Sequence, residues 1–264
     1  PGMAQTEKLT DYVNPFVGTD GYGNVYPGAQ IPFGGIQISP DTDSRFYDAA
    51  SGYKYNHLTL MGFSLTHLSG TGIPDLGDFL FIPGTGEMKL EPGTHEDPDQ
   101  GYRSRYSHDK EWASPNYYAV ELADYGVKAE MTSGVRSGMF RFTYPESDNA
   151  FIMIDMNHTL WQSCEWSNLR MINDSTITGY KLVKGWGPER HVYFTATFSK
   201  KLTGLRFVQD KKPVIYNTSR FRSSYEAWGK NLMACISFDT KAGEEVTVKT
   251  AISAVSTDGA RNNM

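Results

Sequence analysis

The residues best suited to chemistry fall in the first third of the chain and around its tryptophans. Asp75 and Asp78 stand three apart, and two close carboxylates invite an acid/base role. An apolar run follows them directly, which favours the plainer reading that they cap turns through side-chain-to-backbone hydrogen bonds. His67 sits among Ser, Thr and Gly in Ser64-Leu65-Thr66-His67-Leu68-Ser69-Gly70. A single histidine there serves either a ligand or its own backbone. Gly18-Thr19-Asp20-Gly21-Tyr22-Gly23-Asn24-Val25-Tyr26 is glycine-rich but lacks the Lys-Ser/Thr of a phosphate loop. Its glycines permit tight turning and close approach to a ligand, which makes Tyr22, Asn24 and Tyr26 candidate contacts. Trp161, Trp166 and Trp186 lie beside polar residues and Gly, as a stacking platform would, though core packing is the ordinary use of tryptophan. Cys164 and Cys235, the two cysteines, match no zinc spacing with the six histidines, and one disulfide or two free thiols both remain open.

The elements that must carry these residues read as β. Aromatic residues make up 13% of the 264, with 16 Tyr and 14 Phe, and such side chains favour strands. Residues 1 to about 115 are rich in Gly and Pro with short apolar runs between, such as Phe79-Leu80-Phe81-Ile82 and Gly35-Ile36-Gln37-Ile38. Beyond them, strands are predicted at 117–122, 127–132, 137–144, 151–156, 176–183, 191–199, 232–239 and 246–255. In Phe140-Arg141-Phe142-Thr143-Tyr144 aromatic and polar residues alternate, the period-two pattern of a half-buried strand. A short helix is predicted at 224–232, and another begins near 257 with Thr257 or Asp258 as its cap. The expected fold is all-β: a large antiparallel β-sandwich with a loop-rich N-terminal part and few short helices.

Composition narrows the partners. A net charge of −5 without a Lys/Arg run argues against nucleic acid. No stretch approaches the roughly 20 apolar residues of a membrane span. The opening Pro1-Gly2 is not a translation start: Ala4-Gln5 suits a signal-peptidase junction, and an expression remnant is the alternative. The sequons at Asn157, Asn173 and Asn217 carry no weight, since chance alone readily supplies them.

An ordered set of motifs resembles glycoside hydrolase family 92, the calcium-dependent exo-α-mannosidases. It comprises Asp11-Tyr12-Val13-Asn14-Pro15-Phe16-Val17-Gly18-Thr19, Tyr26-Pro27-Gly28-Ala29, Pro32-Phe33-Gly34, Gln37-Ile38-Ser39-Pro40-Asp41-Thr42, and Ser51-Gly52-Tyr53-Lys54-Tyr55. The strongest piece is Gly62-Phe63-Ser64-Leu65-Thr66-His67-Leu68-Ser69-Gly70-Thr71-Gly72, followed by Asp75-Leu76-Gly77-Asp78 and, later, Gly185-Trp186-Gly187 and Val192-Tyr193-Phe194. The likeness runs from about residue 11 to the end. It implies residues 1–10 as a tail or remnant, 11–256 as an N-terminal sandwich (a supersandwich), and 257–264 as the start of a linker to an (α/α)6 catalytic domain. It also implies a periplasmic or extracellular bacterial enzyme that removes terminal α-mannose with inversion. Inversion needs two carboxyl groups about 6.5–9.5 Å apart, with room for water between. The family places these carboxylates and its Ca2+ site in the barrel, so no catalytic residue, metal ligand or cofactor is assigned to this chain, and the chain alone is expected to be inactive. The substrate contacts implied are Tyr22, Asn24, Tyr26, Tyr47, His67 and Trp186. Tyr47, with Phe46 and Asp48 beside it, stands in a loop where the family commonly has a sugar-stacking Trp. Tyr22 and Asn24 replace family histidines, and Leu65 replaces another. The implied partners are a mannose-containing glycan and the barrel domain; the rival reading is a stand-alone carbohydrate-binding module, and a third is a purely structural domain.

Overall fold

The computed structural model describes residues 8–44, 47–215 and 225–264. Phe46, Asn217, the Ala4-Gln5 junction and the side chain of Asp48 therefore lie outside the described residues. In chain order the strands are β1 (Ser39–Asp41), β2 (Thr59–Leu60), β3 (Gly62–Ser64), β4 (Leu80–Thr85), β5 (Ser104–Arg105), β6 (Glu111–Ser114), β7 (Tyr117–Leu122), β8 (Val127–Ser133) and β9 (Ser137–Tyr144). There follow β10 (Ser147–Asp155), β11 (Ser163–Asn173), β12 (Thr176–Lys184), β13 (Arg190–Phe198), β14 (Gly204–Gln209), β15 (Lys212–Pro213), β16 (Glu226–Gly229), β17 (Leu232–Thr240) and β18 (Glu244–Ser253), then helix α1 (Thr257–Asn262). A seven-stranded sheet runs β1-β3-β4-β10-β17-β14-β15, and a nine-stranded sheet runs β16-β11-β12-β13-β18-β9-β8-β7-β6, with β2 and β5 as a small separate pair.

The two sheets meet face to face over one apolar core. Phe63, Phe81, Ile152 and Ile236 from the seven-stranded sheet share it with Phe140, Phe142, Phe194 and Val248 from the nine-stranded one. Phe81 spans the layers, with its ring 4.9 Å from that of Phe140 and 6.4 Å from that of Phe194. The nine-stranded sheet keeps a wet outer face, so β9 alternates as its sequence predicts: Phe140, Phe142 and Tyr144 are buried and Arg141 is exposed. The seven-stranded sheet is buried on both sides. Met61, Leu80, Ile82, Phe151, Met153 and Met233 form a second cluster on its outer face, capped by Tyr102 and by the partly buried Met88 and Leu90. This is why Ala150–Ile154 reads as an unbroken apolar run instead of an alternating one.

Two local expectations are corrected. Residues 226–229, forecast as helix, form β16 and pair antiparallel with β11, Leu169 opposite Ala227. A short segment with one inward alanine satisfies its backbone better along a sheet edge than as an isolated turn of helix. The cap of α1 is Ser256, whose hydroxyl accepts from the Gly259 N–H at 2.9 Å, not Thr257 or Asp258. The helix lies against β13 and β18 through the buried Ala260. Cys164 and Cys235 are both free and buried.

Candidate functional site

One end of the sandwich gathers every loop that holds a candidate residue. The Gly70 N–H donates to the Asn24 carbonyl at 2.7 Å, tying the glycine-rich loop to the loop after β3. That loop is tied in turn to residues 157–162, since the Leu160 N–H reaches the Leu76 carbonyl at 2.9 Å and Gln162 donates to the Pro74 carbonyl at 2.8 Å. Asp75 completes the chain of contacts. Its carboxylate accepts from the Leu76 N–H at 2.6 Å and from the Trp186 N–H at 3.1 Å, the turn-capping role its setting suggested.

Beneath these loops lies a buried ionic frame. Asp41, at the end of β1, is fully buried and faces two imidazoles, with His67 Nε2 2.6 Å from Oδ1 and His158 Nε2 2.8 Å from Oδ2. Nδ1 of His67 faces the Gln37 carbonyl at 2.8 Å, so each ring nitrogen has an acceptor before it. Burial by itself would raise the Asp41 carboxyl, but the two histidines outweigh it and hold the group below the ordinary carboxylate range. Asp78 repeats the pattern with permanent cations. Lys181, buried in β12, lies 3.2 Å from Oδ1; Arg190 at the start of β13 forks onto the carboxylate at 2.5 and 3.2 Å; and the Thr66 hydroxyl donates at 2.7 Å. Against burial, Lys181 and Arg190 lower this carboxyl to about 2. Lys181 also donates to the His158 carbonyl at 2.6 Å, which joins the two halves of the frame. Gly52 is required beside it: at φ +86°, a Cβ there would fall 2.1 Å from Asp41 Oδ1.

The predicted contacts divide between this frame and the surface above it. His67 and Tyr26 are interior. Their rings lie 5.0 Å apart, and the Tyr26 hydroxyl bonds Gln30. Leu65 packs wholly within the main core, so the apolar residue in place of a family histidine fills interior space and does not face a ligand. Asn24 takes φ 51° and turns its amide back to the Tyr22 carbonyl at 3.2 Å. Tyr22 (94% exposed), Tyr47 (56%) and Trp186 (59%) project outward. Tyr47 leans on Trp161 with ring centroids 5.1 Å apart. Sequence reasoning passed over Asp41, His158 and Lys181. Lys181 carried a signal, for it falls on the inward parity of β12 with Ile177, Gly179 and Val183. Among the described residues, no three His, Cys, Asp or Glu side chains converge to hold a metal ion.

The chain belongs to the glycosyl hydrolase family 92 N-terminal domain family, whose model matches residues 12–253. It is similar to an inverting GH92 mannosidase from Bacteroides thetaiotaomicron VPI-5482, with 25% identity and a TM-score of 0.79 over 99% of this chain and 33% of that one. A second solved GH92 glycosyl hydrolase, ccman5, gives 26% identity and a TM-score of 0.79, with 97% of this chain and 34% of that chain covered. An uncharacterized secreted glycosidase of Arthroderma benhamiae is 30% identical over 139 residues, 52% of this chain and 17% of that protein. The chain thus spans about a third of the length of these solved relatives. No helix among the described residues is long and apolar enough to cross a membrane.

Proposed function

We propose that this domain walls one side of the sugar pocket in an exo-α-mannosidase that removes terminal α-mannose with inversion, exported to the periplasm or beyond the cell. The observation that supports it most directly is that the matched family domain is an N-terminal one, and that its loops gather at one end with Tyr22, Tyr47 and Trp186 exposed. The reacting carboxylates and Ca2+ belong, on this reading, to an (α/α)6 domain beside it. Asp75 and Asp78 are poor candidates for those roles, since one caps backbone N–H groups and the other is neutralised by Lys181 and Arg190. Without a proton donor at the leaving oxygen and a base for water, the oxocarbenium-like state is not reached. The 264-residue chain is therefore expected to show no turnover of an aryl α-mannoside with Ca2+ present, and hydrolysis above the buffer rate would sink the reading.

The near-complete exposure of Tyr22 favours one rival, a stand-alone carbohydrate-binding module. Calorimetric titration with mannose separates them. Half of a shared pocket binds weakly, whereas a Kd tighter than about 1 mM favours the module.

A further inference from the structure

The outer face of the nine-stranded sheet is wet but not uniform. Over β6 to β9 it is ionic: Arg141 donates to the Glu130 carboxylate at 2.8 and 3.0 Å, and Lys128 stands 3.3 Å from the same group. Over β16, β11, β12 and β13 it is aromatic. Trp228, Tyr180 and Tyr193 fall in one cross-strand row, with Asn168 between the first two. Trp166, Leu182 and His191 form the next row, since Leu182 lies two residues from Tyr180 and shares its face. We infer that this patch is a self-association surface, on which a second copy of the chain docks face to face. The inference is independent of the sugar reading and goes beyond it.

Four observations carry it. Trp228 is 54% exposed and Trp166 45%, side by side on one face, and contiguous exposed aromatics mark interaction surfaces, where Trp and Tyr supply most of the affinity. The patch is preformed, for Tyr180 packs on Tyr193 with ring centroids 4.9 Å apart and stacks on His191 at 5.8 Å. Its polar groups are already spent on one another. The Tyr180 hydroxyl meets His191 Nδ1 at 3.2 Å, the Asn168 amide donates to Glu226 and to the Ala227 carbonyl at 3.1 Å, and the Thr178 hydroxyl donates to the Phe194 carbonyl at 2.7 Å. A sugar needs free polar groups at the edge of a stacked ring, so these engaged ones favour a protein face. The rim and the size then select a second copy. A two-fold contact requires one patch to complement itself. The rim carries both signs, Arg170 opposite Glu226 on one side and Lys230 with Glu165 on the other, so such an axis can bring opposite charges together. Four strands about 4.8 Å apart, and the nine residues of β12 at about 3.3 Å each, give a face of roughly 20 by 30 Å. That is the size of a reversible contact and smaller than an obligate one.

The test is sedimentation velocity of the chain from about 1 to 200 µM. The expected result is a mass rising from the 29.5 kDa monomer towards twice that value, with a Kd in the micromolar range. Trp228→Thr and Trp166→Thr keep a strand-favouring residue and should each weaken the dimer at least about tenfold. Trp112→Thr is the control: this tryptophan is 44% exposed on β6, beneath Lys128 in the ionic half, and its loss should change the Kd by no more than about twofold. Thermal melts verify the three variants. Hydrogen exchange on the unmodified chain needs no variant, and raising the concentration should slow it in β16 and β11 but not in β6. A chain that stays monomeric to about 200 µM overturns the inference. A dimer that keeps its affinity in both Trp228→Thr and Trp166→Thr, or that protects β6 instead, also overturns it. A monomer that binds α-mannotriose through Trp228 would give the face to a glycan instead.

Discussion

The ionic frame and the aromatic surface above it share the same loops yet solve opposite problems. Asp41, Asp78, Lys181 and His67 are all but sealed from water, and each is held by partners from distant parts of the chain. Tyr22, Trp161 and Trp186 are half exposed or more and make few directional contacts. Buried charges tolerate no loss of a partner, because the group left behind keeps its desolvation cost. Exposed rings give up little when removed, because water already covers much of them. The difference separates side chains that hold the loops together from side chains whose loss costs the fold little.

The frame should therefore break first. Lys181→Met leaves Asp78 buried with Arg190 as its remaining cation, and is expected to cost about 3–5 kcal/mol in urea denaturation. A loss under about 1 kcal/mol would mean that the pair adds nothing over a hydrophobic contact. Gly52→Ala combines φ +86° with a Cβ 2.1 Å from Asp41 Oδ1. It should cost about 2 kcal/mol or more, read as a fall in melting temperature.

Acid should reach the frame by protonating it. Asp41 and Asp78 both titrate below their unfolded value, so the stability they confer is complete above about pH 4. It is lost as the pH falls toward the folded value, about 2 for Asp78, and over that window Asp78 accounts for on the order of 2 kcal/mol. Denaturation midpoints followed from pH 5 to about 2 test this, for Asp78→Asn should be less stable at the start and flatten the decline. An unchanged slope in that variant would assign the acid sensitivity to other groups.

The regular half of the molecule was legible because each strand there has one dry face. Strands β7 and β9 fall on their predicted residues, as alternation alone places them. Strand β11 went unread: its register shifts between Cys164 and Trp166, and Arg170, Ile172 and Asn173 are exposed, so no period of two survives. Strand β16 looked helical because its strand state is created by an edge of β11 that local sequence does not contain. The frame was the least visible part. Asp41 meets His67 across 26 residues and His158 across 117, and no motif scan joins positions so far apart. The exposed aromatics were visible as residue types, but the pairing of Tyr47 with Trp161 joins loops more than a hundred residues apart in the chain.

The smallest structural effects should belong to the surface. Trp186 packs little. Its N–H to Asp75 belongs to the backbone and survives truncation, so Trp186→Ala should change stability by no more than about 0.5 kcal/mol. Tyr22→Ala should do the same, since the ring is 94% exposed. If either residue reads the sugar, the same variant should weaken mannose binding severalfold at unchanged melting temperature. A stability loss above about 1 kcal/mol for Trp186→Ala would place that ring with the frame and not above it. Unchanged binding together with unchanged stability would leave Trp186 without a part in either region, and would shift the aromatic contact with the ligand to Tyr47 and Trp161, whose rings already lie together.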